Sequence, residues 1–260
     1  MFDWIVDQLA AIFEQLHNLI VGMGVTDVGA SYVLAIFIFT LAIRLLILPL
    51  NIKSAKSTAK MQEIQPELQK LQKKYANDPQ KLQLEMNKLM KESGASYMGS
   101  CLPMLLPLPI LFALYYVFRE INVGGDPVQF LWINDLFNAN TGGFGAIFSN
   151  PTNLILPILA GLSTYIPSVM MTKATAQNSA DSPVNMGSMN LFMSGMMVFM
   201  SINFPPILVI YWVIGGLIQL VQTYFLQYRP AVKKAEEKKA KEAEIAATRA
   251  KKATPKTKRK

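Results

Sequence analysis

The stretch Ser31 to Leu50 is twenty residues long and apolar almost throughout, and it carries one full positive charge, Arg44, inside it. Twenty helical residues cover about the 30 Å hydrocarbon core of a bilayer, and Arg44 falls about 5 Å from the midpoint. The segment therefore reads as a transmembrane helix. A cation at that depth costs about 2.5 kcal/mol on insertion scales. Snorkelling would relieve it only by bending toward the nearer surface. Helical side chains lean toward their own N-terminus, which the charge pattern below puts outside, so Arg44 leans away from the nearer, cytoplasmic surface. A polar cavity between helices accounts for it better.

Composition agrees with a membrane protein bearing polar appendages: 52% hydrophobic residues, 16% charged residues and a mean hydropathy of +0.28. Charge is segregated. Of 25 Lys and Arg, nine lie in 53–91 and thirteen in 229–260; none occurs in the first 43 residues or in 120–172, where Asp3, Asp7, Glu14, Asp27, Glu120, Asp126 and Asp135 stand. The positive-inside rule makes the basic segments cytoplasmic and the acidic ones external, with the N-terminus outside and the C-terminus inside the cell membrane. The single cysteine, Cys101, excludes an internal disulfide and a multi-cysteine metal site. No cofactor or metal is expected. The N-terminus lacks the marks of a cleaved signal peptide, so it is expected to stay on the mature protein.

Residues 1–24 read as an amphipathic helix in the external interface, with Phe2, Ile5, Leu9, Ile12, Phe13, Leu16 and Ile20 on one face and His17 at the surface. After the span 31–50, a cytoplasmic helical hairpin occupies 53–94. Its first stripe is Met61, Ile64, Leu68, Leu71 and Tyr75, and its second is Leu82, Met86, Leu89 and Met90. Asp78 and Pro79 start the second arm, and Pro66 should kink or restart the first. The stripes either cover each other or lie on lipid head groups. A second span, 99–119, contains Pro103, Pro107 and Pro109. An external loop, 120–152, presents Phe130, Leu131 and Trp132 to the interface. Spans at 153–171, 187–204 and 206–226 follow, with a cytoplasmic loop at 172–186. The tail 229–260 combines a transiently helical Ala/Glu/Lys part with a disordered basic end. It is either a topology anchor on anionic lipid or an electrostatic arm for ribosomal RNA; no DNA partner is expected.

Enzymatic turnover finds no support. No span holds a histidine base, no His-Glu-x-x-His motif occurs, and Arg44 is the only ionised residue at depth. Around it are hydroxyls, amides and an indole that either line a groove or simply join helices: Thr40, Ser163, Thr164, Ser194, Ser201, Trp212, Gln219 and Gln222. A small-ion or anion channel using Arg44 as its selectivity charge is the alternative reading.

Six segments in order carry a resemblance. They are Thr40-Leu-Ala-Ile-Arg-Leu-Leu-Ile-Leu-Pro49, Met61-Gln-Glu-Ile-Gln-Pro-Glu-Leu68, Cys101-Leu-Pro-Met-Leu-Leu-Pro-Leu-Pro109, Phe130-Leu-Trp-Ile-Asn-Asp-Leu136, Ile155-Leu-Pro-Ile-Leu159 and Asn203-Phe-Pro-Pro-Ile-Leu-Val-Ile-Tyr-Trp212. Together they resemble the YidC-type membrane protein insertases, in the short form without a large external domain. The resemblance implies an all-α membrane protein whose five transmembrane helices enclose a water-accessible groove, open to cytoplasm and lipid and closed outside, with Arg44 as the groove arginine. It also implies that the hairpin helps recruit substrate, and that nascent membrane proteins, the Sec translocon and the ribosome are partners.

Overall fold

The structure is a computed structural model and describes residues 2–95, 107–121, 125–138, 150–175 and 186–253. Cys101, Pro103, most of the loop 172–186, two parts of the external loop and the last seven residues lie outside the described residues. The helices are α1 (Phe2–Gly22), α2 (Val28–Lys74), α3 (Pro79–Ser93), α4 (Pro107–Ile121), α5 (Ile155–Thr175), α6 (Met186–Asn203), α7 (Pro206–Thr223) and α8 (Arg229–Ala253). A 3-10 turn, Pro151–Leu154, leads into α5, and a π-helical turn, Tyr224–Tyr228, joins α7 to α8. Among the described residues there is no strand, only an isolated bridge between Phe130 and Ile133.

Helix α2 merges the Arg44 span with the first arm of the hairpin. It runs 47 residues, about 70 Å, through both Pro49 and Pro66. Pro66 was expected to kink or restart the arm; the helical assignment is unbroken there. A proline inside a helix costs about 3 kcal/mol, and here packing holds the turn on both sides of it, because Ile64 and Leu68 are both buried against α3. The two stripes cover each other: Ile64, Leu68 and Met90 form a small core with Met61, Met86 and Leu89 around it. Asp78 caps α3 by accepting from the Lys81 N–H at 3.0 Å, and Gly94 ends it in the left-handed region at φ 63°. Tyr75, at the bend, has the Lys74 and Lys81 ammonium groups 5.1 and 5.3 Å from its ring centre.

The tail differs in the same direction. Instead of a transient helix, α8 continues α7 through the π-helical turn as far as Ala253. An Ala/Glu/Lys sequence that extends an existing helix avoids the cost of nucleation, which is what makes such segments marginal alone.

Among the described residues, three helical stretches are long and apolar enough to cross a membrane: Val28–Met61, Pro151–Thr172 and Pro206–Thr248. The apolar part of α4, Ile110–Arg119, is shorter. Helix α6 is an 18-residue apolar helix diluted by Ser188, Asn190, Ser194, Ser201 and Asn203. The helices pack in the order α6, α5, α7, α2, α1, α4, and α4 returns to touch α7.

The core sits at the end of the helices where α1 and residues 125–138 pack. Phe13 of α1 meets Phe118 of α4 edge-on at 5.3 Å, and Tyr32 of α2 meets Phe137 of the external segment at 4.9 Å. Around these rings, Val6, Ile20, Ile36, Phe39, Leu114, Val117, Leu136 and the whole run Ile207–Tyr211 are buried. Helix α1 thus packs one face into the protein, centred on Val6, Phe13 and Ile20, while Ile12 of the expected apolar face stays exposed. His17 is not a free surface residue either. Its ring stacks on Tyr32 at 3.9 Å, and its Nε2 lies 2.8 Å from the Ser31 hydroxyl. That hydroxyl donates its proton to the Val28 carbonyl, so it accepts from His17 Nε2–H.

Burial holds the His17 imidazole below its ordinary pKa, partly opposed by the nearby Glu14 carboxylate. The neutral ring is therefore the folded form. Unfolded chains bind the proton first, so stability is full above the ordinary histidine value and falls as pH drops from there through the folded value. The protection factors of α1 amides, exchange rates taken relative to the intrinsic rate at each pH, should fall as pH drops from neutral through the histidine range, and His17→Gln should remove that pH dependence. Protection that falls equally in the variant would place the titration elsewhere.

Candidate functional site

Arg44 lies on the face of α2 that meets α7. Its Nη1 donates to Gln219 Oε1 at 2.7 Å and its Nη2 to the Gly215 carbonyl at 3.1 Å. A Cβ at position 215 would lie 3.2 Å from Nη2, so the missing side chain is what lets the guanidinium reach the backbone. Two turns further along α2, Asn51 Nδ2 donates to Gln222 Oε1 at 3.3 Å, and beyond the membrane segment Lys234 pairs with Glu63. Each of these last three contacts, 44 with 215, 51 with 222 and 63 with 234, spans 171 positions. That constant offset means α2 and the α7–α8 rod run parallel and in register for about 30 Å, since both rise 1.5 Å per residue.

The polar seam begins where tight packing ends. On α2, Ala35, Ile36, Phe39 and Thr40 are buried, whereas no residue from 41 to 53 is, and Leu46 is 80% exposed. On α7, every residue from Pro206 to Tyr211 is buried, while Leu217 and Val221 are exposed. Arg44 thus marks the floor of the densely packed core. Its charge meets no carboxylate among the described residues; a side-chain amide oxygen and a peptide carbonyl satisfy it instead. Thr40, one turn above it, is buried with an unpartnered hydroxyl. Tyr211, one turn before Gly215, is close enough to interact electrostatically with the guanidinium.

The structure separates the remaining sequence candidates. Gln219 and Gln222 are in the seam, and Gln219 Nε2 also donates to Thr223 Oγ1 at 3.3 Å. Ser163 sits on the neighbouring side of α7, against Gly216, with its hydroxyl donating to the Ala160 carbonyl at 2.8 Å. Thr164 donates to the Gly161 carbonyl at 2.8 Å. Ser194 and Ser201 donate to Asn190 and Met197 of their own helix α6, at 2.9 and 2.7 Å. Hydroxyls bonded within their own helix have spent their proton locally and leave a small side chain for the neighbour to approach. Ser201 lies farther off, in a small external cavity of about 30 Å³ shared with Trp132, Asn134 and Asn153. The Trp212 ring rests edge-on against Phe204 at 5.5 Å. Two members of the seam region were missed, Asn51 and Tyr211. Both were legible as spacing: Asn51 follows Arg44 by seven residues, and Tyr211 precedes Gly215 by four, each repeating a helical face.

Small residues set the distances between these helices. A Cβ on Gly216 would lie 2.5 Å from Ser163 Oγ, and one on Gly161 would lie 2.5 Å from Val198 Cγ2, so α5 is clasped by α7 on one side and α6 on the other. We expect Gly216→Val to lower the thermal stability of the purified protein by about 1–3 kcal/mol through overpacking. Gly195→Ala, where nothing stands within 4 Å, should be nearly neutral. Equal melting temperatures for the two variants would contradict the close α5–α7 crossing.

Residues 24–234 match the family described as 60Kd inner membrane protein. This chain belongs to that family. Its relatives include the membrane protein insertase YidC of Clostridium perfringens, 48% identical over 90% of this chain and 94% of the relative. The YidC of Clostridium tetani is 45% identical over 83% and 90%, and the membrane protein insertase MisCA of Bacillus subtilis 34% identical over 82% and 76%. Among solved structures, an active YidC insertase resolved with its first transmembrane domain is similar at a TM-score of 0.58 and 28% identity. The likeness covers 86% of this chain but 46% of that one. The shared all-helical membrane fold is therefore that of the 60Kd inner membrane protein family, with the Arg44 seam between its α2 and α7.

Proposed function

We propose that this chain is a membrane protein insertase. It receives nascent membrane proteins, passes their short hydrophilic segments across the bilayer and releases the adjoining apolar helix into lipid. The observation that supports the mechanism is Arg44 at the floor of the densely packed core, bonded to an amide oxygen and a peptide carbonyl with no carboxylate partner among the described residues. Such a site is attractive to an acidic group arriving from the cytoplasmic side, because attraction between unit charges is several-fold stronger away from bulk water. Gln219, Gln222 and Asn51 offer exchangeable hydrogen bonds along the path to the cytoplasm. Thr40, Ser163, Thr164, Ser194, Ser201 and Trp212 remain candidate contacts, nearest for Thr40 and most remote for Ser201. The driving force is the client's own apolar transfer, aided by the membrane potential. Five methionines in Met189–Met200 suit a surface that accepts many client helices.

The hairpin helps bring clients to this face, with the stripe Met61, Ile64, Leu68, Leu71 and Tyr75 supporting its two-armed shape by packing on α3, and the charge pattern supports an external N-terminus and a cytoplasmic C-terminus. The basic tail meets the ribosome or anionic lipid, and the Sec translocon is the neighbouring machine; net charge supports the first and the resemblance the second. The channel reading draws nothing from these relatives, whose names are those of insertases.

Protease protection of a client's translocated tail tests the proposal. Arg44→Lys should retain substantial activity, whereas Arg44→Ala and Arg44→Glu should fail most on tails carrying Asp or Glu. Neutralising those acids in the client should partly restore Arg44→Ala. Insertion of acidic tails by Arg44→Ala at the unmodified rate would sink the attraction model. For the hairpin, Leu68→Asp places a charge in the Ile64–Met90 core and should destabilise it by about 2–5 kcal/mol and impair insertion. Undiminished insertion would make the hairpin a spacer.

A further inference from the structure

The external segment contains one residue that neither its backbone nor its packing explains. Phe130 and Ile133 exchange both backbone hydrogen bonds, at 2.9 and 2.8 Å, closing a two-residue turn over Leu131 and Trp132. Leu131 has φ 51° and is the only non-glycine described in the left-handed region. At that first central position, where only one positive φ is needed, glycine is the residue that fits without a steric penalty. Yet a leucine stands there, 74% exposed, beside a Trp132 that is 36% exposed. The flanking residues do the opposite: Ile133, Leu136 and Phe137 are buried and Phe130 packs against the core. The two Phe130–Ile133 bonds and the buried flanks hold the strained turn, but no described residue covers the apolar side chain it displays, which points to a partner outside the protein.

The position of the turn says what that partner is. The Ile207 N–H at the start of α7 donates to the Leu136 carbonyl at 2.8 Å, which ties the segment to the first turn of a spanning helix. Trp132 stands beside Asn153, Pro157 and Pro206, the external ends of α5 and α7. From this level the exposed side chains Ile155, Ile158 and Leu159 continue along α5. That is the boundary between head groups and hydrocarbon, where an indole with one wet end is at home. The segment's described charges are Asp126 and Asp135, and no Lys or Arg occurs from 120 to 172, so apolar depth and not attraction to anionic lipid must hold it.

We propose that Leu131 and Trp132 insert into the external leaflet as an anchor that fixes the depth of α7. Through the Ile207–Leu136 bond the anchor sets the level of Gly215, eight residues or about 12 Å deeper along α7, and with it that of Arg44. The anchor works in uncharged phosphatidylcholine, because it carries no basic group.

Depth-dependent fluorescence quenching tests this on the full protein reconstituted in phosphatidylcholine vesicles, with Trp4→Phe and Trp212→Phe leaving Trp132 as the single indole. Lipids brominated close to the head group should quench Trp132 more than lipids brominated near the chain ends. Leu131→Asn accepts the left-handed backbone but loses the apolar side chain. It should shift the docked balance of the tip by about tenfold, lowering the shallow quenching, while stability in detergent stays equal or rises. Should the background changes disturb folding, the difference between the unmodified protein and Trp132→Phe gives the same reading. Three results would overturn the proposal: no quenching by either lipid, quenching unchanged by Leu131→Asn, or loss of detergent stability in that variant, which would make Leu131 a packing residue. Shielding of Trp132 only when a second membrane protein is reconstituted alongside would also overturn it, in favour of a protein partner.

Discussion

A guanidinium bonded to a carbonyl in the middle of a membrane helix pair is the contact on which the arrangement depends. Arg44 reaches the Gly215 carbonyl because position 215 has no Cβ, and it reaches Gln219 because that residue is one turn further along the same face. These two bonds satisfy hydrogen-bonding donors without neutralising the charge. A carboxylate in their place would hold the arginine as a closed ion pair with no reason to exchange partners. Dipoles stabilise the half-buried cation and leave its net charge in place.

The helix pair that carries this contact extends far beyond it. The offset of 171 residues that fixes Arg44 on Gly215 also places Asn51 on Gln222 and Glu63 beside Lys234. The Arg44 seam and the polar stalk beyond it are therefore one rod pair, and the hairpin is mounted on the same helix that holds the arginine. The exposed Glu63–Lys234 pair contributes little stability by itself, as surface ion pairs generally do. Its value is as a marker of register. At the other end, aromatic packing around Phe13, Phe118, Tyr32 and Phe137 makes the dense part of the core. The asymmetry between this dense end and the sparsely packed Arg44 seam follows from where large side chains and small polar ones were placed along the same helices.

Much of this was legible in the chain. The Ser31–Leu50 run with its internal arginine specified a span with a buried cation, because length and apolar content set the first and insertion cost the second. The hairpin was readable from the 3-4 spacing of Met61, Ile64, Leu68 and Leu71 and from the Asp78-Pro79 start, since local capping chemistry acts over a few residues. The ordered motifs pointed to the family to which the chain belongs. The amides Gln219 and Gln222 could be placed on one face of the last span by spacing alone.

Tertiary structure decided the rest, and in each case the reason is a contact distant in sequence. Pro66 reads as a break until Ile64 and Leu68 are seen to be buried against α3 on both sides of it. His17 reads as a surface residue until Ser31 and Tyr32 of the next helix are brought beneath it. In sequence the hydroxyls of Ser194 and Ser201 could either line a groove or join helices; in the structure each bonds its own helix, and Ser201 lines a small cavity beside Trp132. Which polar side chains share a cavity depends on helix rotation and neighbour order, and those are set by close approaches such as Gly216 on Ser163 and Gly161 on Val198. The sequence by itself determined apolar helices of spanning length, the segregation of charge along the chain and a cation within one of those helices, because these follow from composition over one helix length. Only the fold determined that Arg44 faces a carbonyl and an amide, because that required two segments 171 residues apart to lie in register.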